Sequence, residues 1–241
     1  GEIAQPVDPF YIWGEALEVW ERMDPDLRLV NLETSITTNP EPWPQKGIHY
    51  RMHPGNVEVL TAAGIDFCSL ANNHVMDWGR QGLRESLQSL KGAEIVQAGA
   101  GRNLEQAKDP AILSTGNGRV LIFAYGSPSA GVPESWAATR NEGGVNLLAD
   151  LSMKTAEKIS REILAVRQPG DVVIFSVHWG SNWGYQVPKR QRDFARRLID
   201  QGAVDLVYGH SSHHPKGIEV YRNKLILYGA GDFINDYEGI S

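Results

Sequence analysis

Residues 171–178 read Asp-Val-Val-Ile-Phe-Ser-Val-His, a short apolar run that ends in a histidine. Runs of this length that are rich in β-branched and aromatic residues are typical of β-strands. The pattern returns at residues 204–210, where Val-Asp-Leu-Val-Tyr is followed by Gly-His. We therefore predict two strands, each followed closely by an imidazole.

Further runs of this kind alternate with amphipathic stretches along the chain, and this alternation predicts an α/β layered fold. Strands are predicted at Leu27–Leu32, Asp66–Leu70, Arg119–Tyr125, Val172–Val177, Val204–Tyr208 and Lys224–Tyr228. Helices are predicted at Trp13–Met23, Asn56–Ala63, Gly79–Leu90, Leu151–Val166 and Pro188–Gln201, and residues 140–148 are predicted to be a loop. No composition break or repeat marks a linker, so we expect one domain over residues 1–241.

The composition excludes several classes of protein. With 241 residues, 41% of them hydrophobic, the chain can bury a full hydrophobic core without the support of a disulfide or a structural metal. The lone Cys68 excludes a disulfide scaffold. The 23 basic and 29 acidic side chains give a net charge of −6, which argues against binding to nucleic acid.

The sequence carries little information about the compartment. It lacks the roughly 18 consecutive apolar residues that a membrane span needs, and its first residues do not resemble a signal peptide. We expect a soluble chain, with the cytoplasm slightly favoured. Because the chain begins with Gly1 and not Met, a segment upstream would allow anchoring at the cell surface.

Polar side chains follow five of the six predicted strands. Because ligands of open α/β sheets gather outside the carboxyl ends of strands, we expect these side chains to converge on one site. In chain order they are Asn31 and Glu33, then Asn72, Asn73 and His74, then His178, then His210 and His213, and finally Asp232.

This mixture of carboxylate, carboxamide and imidazole groups predicts a metal centre. Nitrogen and oxygen donors suit divalent Mn, Fe, Zn or Co, and one glutamate can bridge two such ions. Two ions activate water and clamp a displacement at phosphorus, so hydrolysis of a phosphoester is the expected reaction. A protonated imidazole beside the metals would then stabilise the developing charge or protonate the leaving oxygen.

The individual residues are weaker signals than their shared position. Residues 209–214 hold three imidazoles in Gly-His-Ser-Ser-His-His, where metal binding is favoured over a solvated surface loop. Asn73 and His74 alone fit a turn that caps the helix beginning near Gly79 as well as they fit a metal site. His178 alone is more typical of a buried core histidine, and Glu33 alone says almost nothing.

The order of these motifs resembles the CapA family, also called PgsA, which is associated with poly-γ-glutamate capsule synthesis within the calcineurin-like metallophosphatase superfamily. The similarity runs from about Leu29 to Phe233. It rests on Asn31-Leu32-Glu33, residues 71–79 (Ala-Asn-Asn-His-Val-Met-Asp-Trp-Gly), His178-Trp179-Gly180, Pro188 with Gln191-Arg192, residues 209–213 (Gly-His-Ser-Ser-His), residues 219–221 (Glu-Val-Tyr) and residues 227–233 (Leu-Tyr-Gly-Ala-Gly-Asp-Phe).

The resemblance implies a metallophosphoesterase-like four-layer α/β/β/α sandwich with two divalent ions at the strand ends. It implies that Glu33 bridges the metals, that Asn73 is the carboxamide ligand, and that His178, His210 and His213 are imidazole ligands. His74 would face the phosphate without binding metal, and Asp77 one turn later would orient it.

The sequence departs from the family at two places. Ser211 and Ser212 separate the last two imidazoles, where the superfamily has one residue between them, so His214 is an alternative to His213. No strand ending in Gly-Asp precedes Asn31, so we expect either that the first strand and the extreme C-terminal part lie outside this sequence or that the first metal position is weakened. Asp232 either compensates or caps the last strand, and capping is favoured.

Three further residues are weaker candidates for contact with a substrate. Arg51 has the planar fork that binds a carboxylate or phosphate, although a surface loop packed by its own aromatics explains this region equally well. Trp179 and Trp183 flank a turn beside His178 and could form a wall for a polymer or sugar, with ordinary packing favoured.

Two functional hypotheses follow. The first is a metal-dependent hydrolase of a phosphoester or related polymer linkage, acting on an anionic or phosphorylated small molecule or polymer. The second is a non-catalytic assembly or export factor that keeps the metallophosphatase scaffold and works with the capsule-synthesis machinery. The oligomeric state is not predicted.

Overall fold

Short strands and helices alternate along residues 7–235, the part of the chain that the computed structural model describes. The helices are α1 (Ala16–Met23), α2 (Glu58–Ala62), α3 (Gly79–Gly92), α4 (Leu104–Lys108), α5 (Met153–Leu164) and α6 (Lys189–Asp200). The strands are β1 (Leu29–Asn31), β2 (Ser35–Ile36), β3 (Arg51–Met52), β4 (Phe67–Ser69), β5 (Val96–Ala98), β6 (Ala100–Gly101), β7 (Ala111–Thr115), β8 (Gly118–Gly126), β9 (Gly144–Val145), β10 (Val172–His178), β11 (Leu206–His210), β12 (Ile218–Tyr221) and β13 (Lys224–Leu227). Short 3-10 turns occur at Tyr11–Trp13, Pro54–Val57, Pro128–Ala130 and Glu134–Trp136.

The larger sheet has six strands in the order β12-β13-β11-β10-β8-β7. Its four central strands are parallel, and β7 and β12 pair antiparallel at the two edges. The register places His178 opposite His210 on one side and opposite Gly126 on the other. The carboxyl ends of β8, β10 and β11 therefore lie side by side at the same end of the sheet.

The smaller main sheet is parallel and has three strands in the order β1-β4-β5. Its register aligns Asn31 with Ser69 and Ser69 with Ala98, so these strands also end together. Two further ladders have two strands each, β2 with β3 and β6 with β9.

The six-stranded sheet contributes one face to each of two hydrophobic clusters. Leu121 and Phe123 of β8 pack with Phe175 and with residues of α5 and α6. Ile122 of β8, on the opposite face, packs with residues of the three-stranded sheet and α3. Neighbouring residues of a strand point to opposite faces, so the two clusters lie on the two sides of this sheet. Because the sheet is common to both clusters, they form a single mixed α/β domain.

Helix α6 shows how the local sequence defines an element beside the site. Pro188 precedes the helix with a φ of −58°, and Gly202 follows it with a φ of 69°. Both residues match the preferences of helix ends. Between them, the apolar residues Phe194, Leu198 and Ile199 are buried against the sheet, whereas Arg190 is exposed.

The structure confirms each predicted strand and helix, with shifted ends. The prediction that residues 140–148 are entirely loop is wrong at Gly144–Val145, which forms β9 by pairing with β6. Strands β2, β3, β5, β6, β7 and β12 and helix α4 were not predicted. Among residues 7–235, no helix combines the length and apolar character that crossing a bilayer requires.

Candidate metal centre

Both main sheets contribute side chains to the same group at their carboxyl ends. His178 and His210 are the last residues of β10 and β11. Glu33 lies two residues beyond β1, and Asn73 lies four residues beyond β4. The structure therefore brings together residues that are up to 177 positions apart, because the strands that precede or contain them end close to one another.

His178 is at the centre of this group. Its Nε2 atom lies 3.0 Å from Asn73 Oδ1 and 3.7 Å from Glu33 Oε1. Its Nδ1 atom lies 2.8 Å from Nδ1 of His210. On the far side of His210, Nε2 is 3.0 Å from the hydroxyl of Ser176.

These contacts link the tautomer of His178 to that of His210. One nitrogen of the His178–His210 contact must carry a hydrogen for the bond to form. If His178 keeps Nε2 free for a ligand, its Nδ1–H donates to His210, and Nε2–H of His210 donates to Ser176. His210 then orients His178, in the manner of the outer partners that support metal-binding histidines.

Burial keeps these imidazoles neutral. Loss of hydration lowers the pKa of His210 to about 3 and holds the pKa of His178 well below its usual value. Burial also raises the pKa of the Glu33 carboxyl to about 7, although the amide of Asn31 donates a hydrogen bond that opposes the rise. Neutral imidazoles retain the lone pairs that a metal needs.

A second pair, His74 and Asp77, lies beside this group. His74 Nδ1 is 2.6 Å from Asp77 Oδ2, and Asp77 is completely buried. The ring of Tyr50 stacks on the ring of His74 with centroids 4.0 Å apart. Burial lowers the pKa of His74, and the hydrogen bond to Asp77 opposes that effect.

His213 and Asp232 form a third pair. Nδ1 of His213 lies 2.9 Å from Oδ2 of Asp232. The charge of Asp232 contributes to the raised pKa of Glu33, and the charge of His213 to the lowered pKa of His178. This pair therefore lies within electrostatic range of the central group.

A cavity of about 530 Å³ is lined by three of these side chains together with apolar residues. Glu33, His210 and Asp232 are its polar lining. Its apolar lining includes Trp13 and Trp20 of the amino-terminal segment. Glu33 and Asp232, from opposite ends of the sequence, thus face one space.

Within residues 7–235, no group of three or more His, Cys, Asp and Glu side chains is arranged to hold a metal ion. The two oxygen neighbours of His178 Nε2 are Oε1 of Glu33 and the amide oxygen of Asn73, and an amide is not among these four residue types. A metal site with Glu33, Asn73, His178, His210 and His213 as ligands therefore stays a prediction.

The weaker candidates occupy three different environments. Trp179 is 1% exposed, and its indole N–H donates to the carbonyl of Tyr228 at 3.1 Å, so it packs in the core and does not form a wall of the site. Trp183 is 54% exposed and lies beside His213, with ring centroids 5.3 Å apart. The guanidinium of Arg51 lies 4.3 Å from the centre of the Trp78 ring. Packing on this ring accounts for the position of Arg51 without a substrate.

Two residues near the site were missed by sequence reasoning. Lys46 lies 2.7 Å from Asp77, and Ser176 contacts His210. Alternation along β10 could have placed Ser176 on the same face as His178. Nothing in the sequence marks Lys46, because a loop brings it to Asp77.

The fold and this site define a class of protein: a mixed α/β domain with a cluster of buried histidines, carboxylates and an amide at the carboxyl edge of its sheets. A family model described as "Bacterial capsule synthesis protein PGA_cap" matches residues 2–237. The chain belongs to this bacterial capsule synthesis family.

Curated relatives carry corresponding names. A "Probable polyglutamine synthesis accessory protein" of Mycobacterium tuberculosis is 49% identical over 242 aligned positions, which cover 100% of this chain and 63% of the relative. The "Capsule biosynthesis protein CapA" of Bacillus anthracis is 29% identical over 79% of this chain and 45% of the relative. The "PGA biosynthesis protein CapA" of Bacillus subtilis is 32% identical over 79% of this chain and 48% of the relative. The chain thus spans less than two thirds of the length of these relatives.

Proposed function

We propose that this chain is a metal-dependent hydrolase of a phosphoester or a related polymer linkage, active in capsule polymer synthesis. The observation that carries the proposal is the convergence of His178, Asn73 and Glu33 at the carboxyl ends of strands from two sheets, with the separate His74–Asp77 pair beside them. The first three are suited to hold a metal. The pair is suited to handle a proton.

The layer order supports a metallophosphoesterase-like sandwich. Helices α5 and α6 cover one face of the six-stranded sheet. The opposite face shares a cluster with the three-stranded sheet and with α3. We interpret this order as the α/β/β/α arrangement that the sequence resemblance implies.

The donor set fits a divalent ion such as Mn, Fe, Zn or Co. Ligands about 2.1 Å from an ion lie roughly 3.0–3.5 Å from one another, so the 3.0 Å and 3.7 Å separations around His178 Nε2 are close to those of one coordination shell. Glu33, Asn73 and His178 would hold one ion, and His213 with Asp232 offers donors for a second. Bound ions would supply Lewis-acid activation of water and of the phosphoryl group.

His74 would act on the substrate through its Nε2 atom. Its Nδ1 atom is occupied by Asp77, and a carboxylate in that position fixes the tautomer and ring orientation of an imidazole. Nε2 is then the nitrogen that can give a proton to the leaving oxygen.

The family supports the biological setting. The names of the relatives refer to capsule and polyglutamine synthesis. We infer that the substrate is an anionic or phosphorylated small molecule or polymer, and that the capsule-synthesis machinery supplies the partners. Bound cations would offset the repulsion between such a substrate and the chain's net charge of −6.

Chelation and metal replacement test the proposal. The protein is stripped with a chelator, reloaded with Mn²⁺ and assayed on a panel of phosphate monoesters and diesters. We expect hydrolysis to be lost on stripping and restored by Mn²⁺. A protein with bound metal that hydrolyses no member of a broad panel would contradict the proposal.

One observation favours the alternative, a capsule polymer assembly or export factor without turnover. Both ring nitrogens of His178 already have protein neighbours within hydrogen-bonding distance, so the group holds together without an ion. Titration with polyglutamate, with and without Mn²⁺, separates the two functions. Saturable binding without product supports the scaffold, and product formation supports the hydrolase.

A further inference from the structure

The loop Trp43–Tyr50 closes over Asp77. The backbone N–H of Trp43 donates to the carbonyl of Asp77 at 2.6 Å. At the other end of the loop, the backbone N–H of Tyr50 donates to Asp77 Oδ2 at 2.7 Å, and Trp78 donates its indole N–H to the carbonyl of Tyr50. The loop is therefore attached to this region at both ends.

Lys46 is the charged residue that this loop directs inward. Its Nζ atom lies 2.7 Å from Asp77 Oδ1 and 3.1 Å from His74 Nδ1, and it donates to the carbonyl of Ile48 at 2.9 Å. Its side chain is only 16% exposed. A lysine so far removed from water needs a compensating anion, and Asp77 provides it.

The two oxygens of Asp77 have different neighbours. Oδ2 accepts from the backbone of Tyr50 and lies against His74, while Oδ1 faces the ammonium of Lys46. A carboxylate with a backbone donor at one oxygen and an ammonium 2.7 Å from the other is restricted in its rotation. Its Oδ2 atom lies 2.6 Å from Nδ1 of His74, so the orientation of the carboxylate bears on the orientation of the imidazole.

We propose that Lys46 is a positioning residue that acts through Asp77 to hold His74 in its working orientation. This inference rests on the proposed hydrolase function for its effect on turnover. The arrangement of Lys46, Asp77 and His74 can be tested without it.

A purely structural role makes a different prediction. If Lys46 only anchored the loop, its removal would change stability and leave His74 in place. The loop has other attachments at Trp43, Tyr50 and Trp78, so we expect it to stay closed without Lys46.

The kinetic test compares Lys46→Met and Lys46→Arg with the unaltered full chain, all loaded with Mn²⁺ and assayed on the most reactive phosphoester of the panel. We expect Lys46→Met to lower kcat by about 10- to 100-fold, the usual effect of losing an outer partner, with KM within about threefold. Lys46→Arg should recover most of the loss. Lys189→Met removes a lysine from an exposed ion pair with Asp193 and should leave kcat unchanged.

A second readout does not depend on turnover. Proton NMR of the metal-free protein should show a strongly downfield Nδ1–H signal of His74, identified by its loss in His74→Gln, because the contact with Asp77 is only 2.6 Å. We expect Lys46→Arg and Lys189→Met to keep this signal and Lys46→Met to lose or shift it.

Three results would overturn the proposal: no such signal in the unaltered protein, an unchanged signal in Lys46→Met, or an unchanged kcat for Lys46→Met in an active protein. If the unaltered protein hydrolyses nothing, the proposed function fails, and the NMR comparison still decides whether Lys46 positions His74. Thermal unfolding of each variant shows whether it remains folded.

Discussion

Burial places the histidines of this chain in different chemical environments. His178 and His210 are enclosed at the ends of neighbouring strands, and burial keeps both imidazoles neutral. His74 is almost as buried but has a carboxylate neighbour, so its protonated form is partly compensated. The environment of His178 favours a ligand, with His210 as its outer partner, and the environment of His74 favours proton transfer.

Replacing His74 by Ala separates these roles. We expect turnover to fall by about 10²- to 10⁴-fold because general acid catalysis is lost, while metal content stays nearly constant. Elemental analysis and initial rates measure the two quantities. His53→Ala is the control, since His53 caps the turn at Gly55 instead. Loss of metal from His74→Ala would show that His74 is a ligand and refute its assigned role.

Trp179 and Trp183, which follow His178 in the sequence, differ in burial. Trp179→Ala should lower the free energy of unfolding by about 3–5 kcal/mol, because it removes a fully buried indole. Trp183→Ala should change it by no more than about 0.5 kcal/mol, since the side chain is largely exposed. Urea unfolding measures both. Equal effects of the two substitutions would contradict the burial described for Trp179.

At the residue scale, the sequence predicts the strand-end side chains and misses those that loops deliver. Glu33, Asn73, His178 and His210 come together because strand order brings their ends together. Lys46 reaches Asp77 across 31 positions through a loop whose path follows from its own packing. No periodic pattern encodes such a path.

Among the elements, Asp205 joins the amino ends of parallel strands. It accepts hydrogen bonds from the backbone of Val173 at the start of β10, from Lys224 at the start of β13 and from Arg167. Burial alone would raise the pKa of Asp205, but the hydrogen bonds from Lys224 and Val173 and the charge of Arg167 outweigh it and lower the pKa.

This lowered pKa predicts a pH dependence of stability. A carboxyl with a lower pKa in the folded state stabilises the fold above its unfolded pKa, and the contribution is lost as pH falls through the folded pKa. We therefore expect the free energy of unfolding to fall below about pH 4, and this fall to be shallower in Asp205→Asn. Urea unfolding between pH 7 and pH 2.5 measures the slope.

Asp193→Asn is the matched control for Asp205→Asn. Asp193 pairs with Lys189 on an exposed helix face, where an ion pair contributes at most about 1 kcal/mol. Its substitution should leave the acid slope as it is. Identical slopes for the unaltered protein and Asp205→Asn would contradict the role given to Asp205.

The two edge strands that were missed from the sequence, β7 and β12, lie next to turn residues. Arg222 and Asn223, between β12 and β13, have φ angles of 48° and 60°, which suit a tight hairpin turn. Residues 115–118 read Thr-Gly-Asn-Gly between β7 and β8. Both turns lie in polar sequence next to short strands, so the alternation of apolar runs favoured the central strands and passed over these edges.

Across the whole molecule, periodicity predicts the α/β class and the number of domains but not the division into two sheets. Whether β1, β4 and β5 join the larger sheet or form their own depends on packing between distant residues, such as the cluster that joins Phe67 to Ile122. That division creates the cavity in which Glu33, His210 and Asp232 meet. The convergence could be predicted from strand ends, whereas the shape of the space could not.

The central claim is that a divalent ion binds where the strands of the two main sheets end, among Glu33, Asn73 and His178. The most direct measurement is an anomalous difference map, recorded above and below the manganese absorption edge, from a crystal of the protein soaked in Mn²⁺. We predict a strong peak bounded by Glu33, Asn73 and His178. A map without a peak there, at a Mn²⁺ concentration that restores maximal hydrolysis or saturates binding in solution, would contradict the account.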